Sequence, residues 1–178
     1  MNNLKLWRFV GTITIIMVGF LLHYLYSWSG NSKIVGFFVP VNESVWEHLK
    51  LGYWSVLLFS IPEYLQINNS VNNYYWAKLM GVLALELTIL IIYYSYKIIV
   101  GENILVIDIF SYIMGAIISQ YLTYKIFNLK PFSRYFKTIS VALFIALGVL
   151  FGVTTYDPPH LPIFKDNNTN TYGISKEN

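Results

Sequence analysis

The residues that could do chemistry are few and concentrated. "PVNESVWEHLK", residues 40 to 50, sets Glu43 and Glu47 four apart and follows them with His48. On a helix, that i, i+4 spacing puts both carboxylates on one face. The remaining histidines are His23 and His160, and Asp157 and Asp166 flank the latter. A cluster of imidazoles and carboxylates can bind a divalent metal, act as general acid and base, or pass protons. The catalytic candidates are therefore His23, Glu43, Glu47, His48 and His160. The metal-ligand candidates are His23, Glu47, His48, His160 and Asp166, a donor set suited to zinc, manganese or iron. A plainer account stands beside this one. Asn42 or Ser44 can cap a helix, Ser44-x-x-Glu47 is a capping box, and acids in a first turn complement the helix dipole. On that account Lys50 is a surface partner of Glu47.

The elements that must position these residues are apolar blocks. The chain has 178 residues, 56% hydrophobic and only 12% charged, about half the charge of a typical soluble domain. Its blocks approach twenty residues, the length a helix needs to cross a bilayer. They cover about 6–28, 43–64, 74–99, 104–127 and 135–154, separated by "SGNSK", "INNSVNN", "VGEN" and "NLKPFSR", which are turn and loop signals. Period-two alternation is absent, so helices, not a barrel, satisfy the backbone. The expected fold is all-α: a bundle of about five transmembrane helices over 1–154, with a polar tail over 155–178. Net charge is +3 without a basic stripe, and there is no cysteine. These exclude a nucleic-acid partner, disulfides and thiolate chemistry.

Five spans put the termini on opposite sides. With the N-terminus inside, Lys5, Arg8, Lys78, Lys125, Lys130, Arg134 and Lys137 face the cytoplasm against the single acid Glu63, as the positive-inside rule requires. Tyrosines and tryptophans at the span ends, including Trp28, Tyr74, Tyr93 and Tyr96, read as an aromatic belt. In this orientation every histidine falls on the outer side. His23 and His48 each lie about five residues, or about 8 Å, inside the outer end of their helices. The tail carrying His160 emerges beside them and is expected to fold back as a lid through Asp157, His160 or Asp166.

Other polar residues interrupt the blocks. Glu86 lies near the middle of the third span, where a carboxyl is a functional candidate by default; the alternative is a neutral, hydrogen-bonded structural group. Asp108 lies about one turn into the fourth span and extends the outer cluster. Pro62 kinks or ends the second helix, with Glu63 just beyond it at the inner surface. The prolines of "DPPHLP" forbid a helix there and favour an extended run. "KIVGFFVPV" is too short to cross and reads as an interfacial or re-entrant loop.

"LHYLYSWSG", "PVNESVWEHLKL" and the tail "YDPPHLPIFKD…TYGI" together resemble a family of small bacterial integral-membrane proteins of unknown function, found mainly in low-GC Gram-positive bacteria. The resemblance covers nearly the whole chain. It implies a location in the cytoplasmic membrane and supplies no activity, substrate or cofactor.

Three functional classes remain open on the sequence: a membrane-embedded, metal-dependent hydrolase acting on a lipid or small molecule; a small transporter or proton-coupled carrier using Glu86 and the outer cluster; and a structural or regulatory membrane subunit. Five spans without evident halves count against a carrier. Oligomeric state is not encoded in any motif. The topology has a direct test, because single cysteines introduced into this cysteine-free chain react with an impermeant reagent in whole cells. Labelling is expected at Ser175 and not at Ser133; the reverse pattern inverts the orientation.

Overall fold

The structure, a computed structural model, describes residues 2–174. Five long helices run alternately up and down: α1 (Asn2–Trp28), α3 (Val45–Ile67), α4 (Tyr74–Val100), α5 (Leu105–Phe127) and α6 (Arg134–Tyr156). A single turn, α2 (Lys33–Gly36), interrupts the loop between α1 and α3. No strand forms among the described residues; an isolated bridge joins Lys165 to Tyr172.

Four of these helices, α1, α4, α5 and α6, are long and apolar enough to cross a membrane. The fifth long helix, α3, is not apolar enough, although at 23 residues it is as long as α5 and α6. The difference is charge: α3 carries Glu47, Lys50 and Glu63, all buried. It packs against α1, α4 and α6, so its polar groups meet protein on several sides. The outer helices show the opposite pattern. Phe9, Ile13, Met17 and Leu21 form an exposed apolar stripe along α1, and Ile98 and Ile99 of α4 are over 80% exposed. A single water-facing chain rarely exposes apolar patches on this scale; hydrocarbon suits them.

The loop ahead of α3 and the end of α6 are held by one buried ion pair. Lys50 Nζ lies 2.8 Å from Glu47 Oε2, and both residues are almost wholly excluded from solvent. The ammonium also donates to the Gly36 carbonyl (2.8 Å) and to Thr155 Oγ1 of α6 (2.6 Å). The carboxylate accepts from the Val41 amide (3.2 Å) and from Thr155 (3.1 Å). Lys50 is thus not a surface partner of Glu47. The pair is interior, and it joins α2, α3 and α6.

A second buried pair, Glu63 and Lys78, locks the opposite end. Tyr74 donates to Glu63 Oε2 (2.9 Å) and to the Ser60 carbonyl (2.7 Å). Pro62 does not end α3, which continues five residues beyond it, so Glu63 is sealed in the bundle, not at a surface. At this same end, Asn73 takes a left-handed backbone conformation (φ 57°). Its amide accepts from the Phe132 N–H (2.7 Å) and donates to the Lys130 carbonyl (3.0 Å), which staples the α3–α4 loop to the α5–α6 loop.

Removing one member of the Glu47–Lys50 pair strands a buried charge, which costs about 3–5 kcal/mol. Lys50→Met alone is therefore expected to destabilise the protein by that amount in denaturation from mixed micelles. The double variant Glu47→Leu with Lys50→Met is expected to recover most of the loss. Equal stability of wild type and Lys50→Met would show that the pair contributes nothing.

Candidate metal centre

The α1–α3 loop delivers three groups to one point. Ser44 is the N-cap of α3 and accepts from the Glu47 amide through Oγ (3.2 Å). The reciprocal half of a capping box is missing, because the Glu47 side chain is committed to Lys50; Asn42 Oδ1 takes the Ser44 amide instead (2.9 Å). With the cap at Ser44, Glu43 stands just outside the helix, and its carboxylate reaches across to His48, one turn in. Glu43 Oε2 lies 3.3 Å from His48 Nε2, and Oε1 lies 3.9 Å from His23 Nε2 of α1. The two imidazole rings meet edge to face with centroids 5.3 Å apart.

The tautomer of His48 follows from its partner. His48 Nδ1 lies 2.8 Å from the Ser44 carbonyl oxygen, which can only accept, so Nδ1 carries the hydrogen. In the neutral ring Nε2 then presents a lone pair to a carboxylate. Two acceptors 3.3 Å apart need a proton or a cation between them. Hydrogen bonding from His48 accordingly holds the Glu43 carboxyl below its ordinary value of 4.5, against the opposing effect of burial.

One ligand atom from each of His23, Glu43 and His48 falls within 4.8 Å of the other two. Tetrahedral ligands with bonds of 2.0–2.2 Å sit roughly 3.4 Å apart, so side-chain adjustments of about an ångström would close the trio on an ion. Three protein ligands leave a fourth position open, as at catalytic zinc sites.

That position borders a cavity of about 350 Å³ between α1, α3, α4, α5 and the tail. Its polar wall holds Asp108, Tyr93, Asn103, Asn167 and Asn168, and its deeper wall is mostly apolar, with Phe20, Leu51, Ile89 and Ile109. Gly19 and Tyr112 form its floor. A Cβ at Gly19 would collide with the Tyr112 hydroxyl, which is fixed by the Ile15 carbonyl of α1 (2.9 Å) and Ser55 Oγ of α3 (3.0 Å).

The other sequence candidates lie elsewhere. Glu47 is not part of the trio; the buried pair with Lys50 uses its carboxylate. His160 is exposed and stacks on Tyr172 (4.6 Å), and Asp157 is exposed at the end of α6. Asp166 supports the site without entering it: Oδ2 accepts from the Glu43 amide (3.3 Å), and Oδ1 from the Asn168 and Thr169 amides. Asp108 lines the cavity and accepts from Tyr96 through Oδ1 (2.5 Å). Glu86 is buried in mid-helix, its Oε1 has no hydrogen-bond partner among the described residues, and it lies outside the cavity lining.

Two tyrosines that the aromatic-belt reading set at the membrane surface join the site. Tyr93 and Tyr96 look like belt residues, yet both are buried. Tyr93 donates to Asn103 (2.9 Å) and Asn167 (3.2 Å). Their i, i+3 spacing on the α4 end that faces Asp108 is the only sequence signal for this role.

Residues 1–174 match the family model described as "Family of unknown function (DUF6512)". The chain belongs to this family. No curated protein and no solved structure matches it. The family thus spans the whole bundle and the tail through Ile174, so the trio and the segment that clamps Glu43 lie within one family unit.

The Glu43 environment fixes a pH dependence in metal-free protein. A carboxyl whose folded pKa lies below its unfolded value stabilises the fold above the unfolded value and loses that contribution as pH falls through the folded one. The stability difference between wild type and Glu43→Gln is expected to shrink as pH falls below 4.5. Denaturation series across pH 3 to 7 measure it; a difference that grows on acidification contradicts the geometry.

Proposed function

We propose that this chain is a five-span protein of the bacterial cytoplasmic membrane that holds a divalent transition-metal ion with His23, Glu43 and His48 and uses it in hydrolysis. The observation that carries this reading is the arrangement at His48, where Ser44 fixes the hydrogen on Nδ1 and aims the Nε2 lone pair at Glu43 and His23. Hydrogen bonds from the other ring nitrogen to a carbonyl orient histidine ligands in metalloproteins. Zinc fits this donor set, with manganese and iron as alternatives. An ion held there would supply Lewis acidity and a water of lowered pKa.

The chain's own groups support the rest of the reaction. Asp108 lines the same cavity; Oδ1 accepts from Tyr96, which leaves Oδ2 as the oxygen that would take a proton from an attacking water. Asn103 and Asn167, oriented by Tyr93, line the cavity as polar groups for a substrate.

As for topology, α3 is treated as the fifth span because its length equals that of α5 and its charges are neutralised inside the bundle. The excess of positive residues at the Lys78–Arg134 end supports placing the N-terminus inside and the trio outside. The carrier reading draws on Glu86, but the cavity lining reaches Ile89 and not Glu86, so no connected route supports it.

Metal analysis of purified protein equilibrated with zinc and desalted is expected to give one ion per chain. His48→Ala is expected to weaken zinc affinity by more than about tenfold, the scale on which loss of even a ligand's hydrogen-bond partner acts. A folded wild type that retains no ion from zinc, manganese or iron would sink the proposal.

A further inference from the structure

The cavity has a chemical asymmetry that the metal reading does not use. Its polar groups lie at one end, at His23, Glu43, His48 and Asp108, and its opposite wall is apolar. From Leu105 at the rim to Tyr112 at the floor is seven residues of α5, a depth of about 10 Å. Two of its lining residues, Phe20 of α1 and Leu105 of α5, are also exposed on the outside of the bundle, 38% and 69% respectively. The cavity therefore opens sideways between α1 and α5, on a surface whose neighbours are apolar side chains.

The charge of the lining narrows the ligand further. No lysine or arginine is among the lining residues, while Glu43 and Asp108 are. In the metal-free protein a phosphate head would meet two carboxylates and no lysine or arginine, whereas phosphate sites normally recruit one of these. An uncharged carbonyl head needs hydrogen-bond donors only. Asn103 suits that: its Oδ1 already accepts from Lys97 Nζ (2.7 Å) and Tyr93 (2.9 Å), which leaves the NH₂ of its amide as the donor to offer.

We infer that the cavity takes a fatty-acyl ester or amide that enters from the bilayer between α1 and α5, with its carbonyl head at the polar lining shared by Asn103 and the His23–Glu43–His48 trio and its acyl chain along Phe20, Leu51, Ile89 and Ile109. This substrate class rests on the metal-site reading above for its chemistry, but not for its binding. In the reaction, a water oxygen bonds to the acyl carbon and the bond from that carbon to the leaving oxygen or nitrogen breaks. The proton taken from water ends on the leaving group. The products are a fatty acid and an alcohol or amine.

The labelling test uses full-length protein stripped of metal, in lipid nanodiscs, and a fatty amide carrying a photoactivatable diazirine on its chain; zinc content is read on separately loaded samples. Cross-links are expected on α1 near Phe20 and on α5 near Ile109, with excess dodecanamide suppressing them and dodecyl phosphate failing to do so. Leu105→Trp at the exposed rim and Ile109→Trp inside the cavity are each expected to cut labelling at least tenfold while zinc content stays at the wild-type level. Cross-links spread evenly over all exposed helix faces, or unchanged by both tryptophans, would overturn the inference. Competition by dodecyl phosphate equal to that by dodecanamide would overturn it too. Zinc retained with no cavity labelling refutes the acyl ligand alone; cavity labelling on a protein that holds no metal supports the acyl cavity and refutes the metal reading alone.

Discussion

The architecture depends on a full positive charge held in the interior of the most central helix. Lys50 is wholly buried, and an unpaired ammonium there would be prohibitive. Its position is tenable because Glu47, the Gly36 carbonyl and Thr155 surround the Nζ atom. Those partners come from α3, α2 and α6, so satisfying one charge dictates where three elements sit. The turn at α2 must come close enough to offer a carbonyl, and α6 must present its last turn to α3. The same requirement explains why α3 lacks the apolar character of its neighbours. It buries charge against protein, and most of the exposed apolar side chains belong to the helices around it.

His48 inherits its place from this arrangement. It follows Glu47 by one residue, about 100° around the helix. When Glu47 turns toward α6, His48 is carried to the α1 side, where His23 waits. The bundle then contains two kinds of polar group. Glu47 with Lys50, and Glu63 with Lys78 and Tyr74, are closed sets in which each charge has its opposite. The trio is an open set. It brings a carboxylate and ring nitrogens together beside the cavity with no lysine or arginine among them. Beside these two closed pairs, the open set at the cavity stands out as a place for something from outside.

Reading the sequence located the helices well, because long apolar blocks punctuated by "NN", "GEN" and "NLKP" leave little freedom. It also brought His23 and His48 together, since equal depth on adjacent antiparallel helices is a matter of counting residues. It could not assign the two glutamates of "NESVWEH", which share a helical face by spacing. The cap falls at Ser44, so Glu43 is off the helix and free to reach His48, whereas Glu47 is on it and committed to Lys50. That choice depends on Thr155, 108 residues away. The burial of Lys50, Lys78, Tyr93 and Tyr96 was hidden for the same reason. Lysine and tyrosine at helix ends follow the pattern of a membrane surface, and only partners from distant elements reveal that they face inward. Pro62 misled in a simpler way, because a proline signals a break that the packed surroundings of α3 do not require.

The tail shows how far the site extends beyond its ligands. Phe164 packs against Trp46 (4.6 Å between ring centroids), whose indole N–H donates to Thr154 of α6 (2.8 Å). Asn42 donates to the Gly173 carbonyl (2.9 Å). Between these anchors, Asp166 accepts the Glu43 amide and Asn167 donates to the Glu43 carbonyl (2.9 Å). Glu43 thus has both of its backbone polar groups held by residues more than 120 positions later in the chain. A carboxylate on a loop would ordinarily wander, and a ligand that wanders forfeits the advantage of a preformed site. By clamping the backbone, the polar tail gives a loop residue the fixity of a helical one. His160, a ligand candidate on the sequence, and Asp157, expected to help close a lid, are outside this clamp. The tail's contribution is to hold Glu43 still, and residues 166 and 167 make it through hydrogen bonds to main chain, which no spacing of ligand-type residues would disclose.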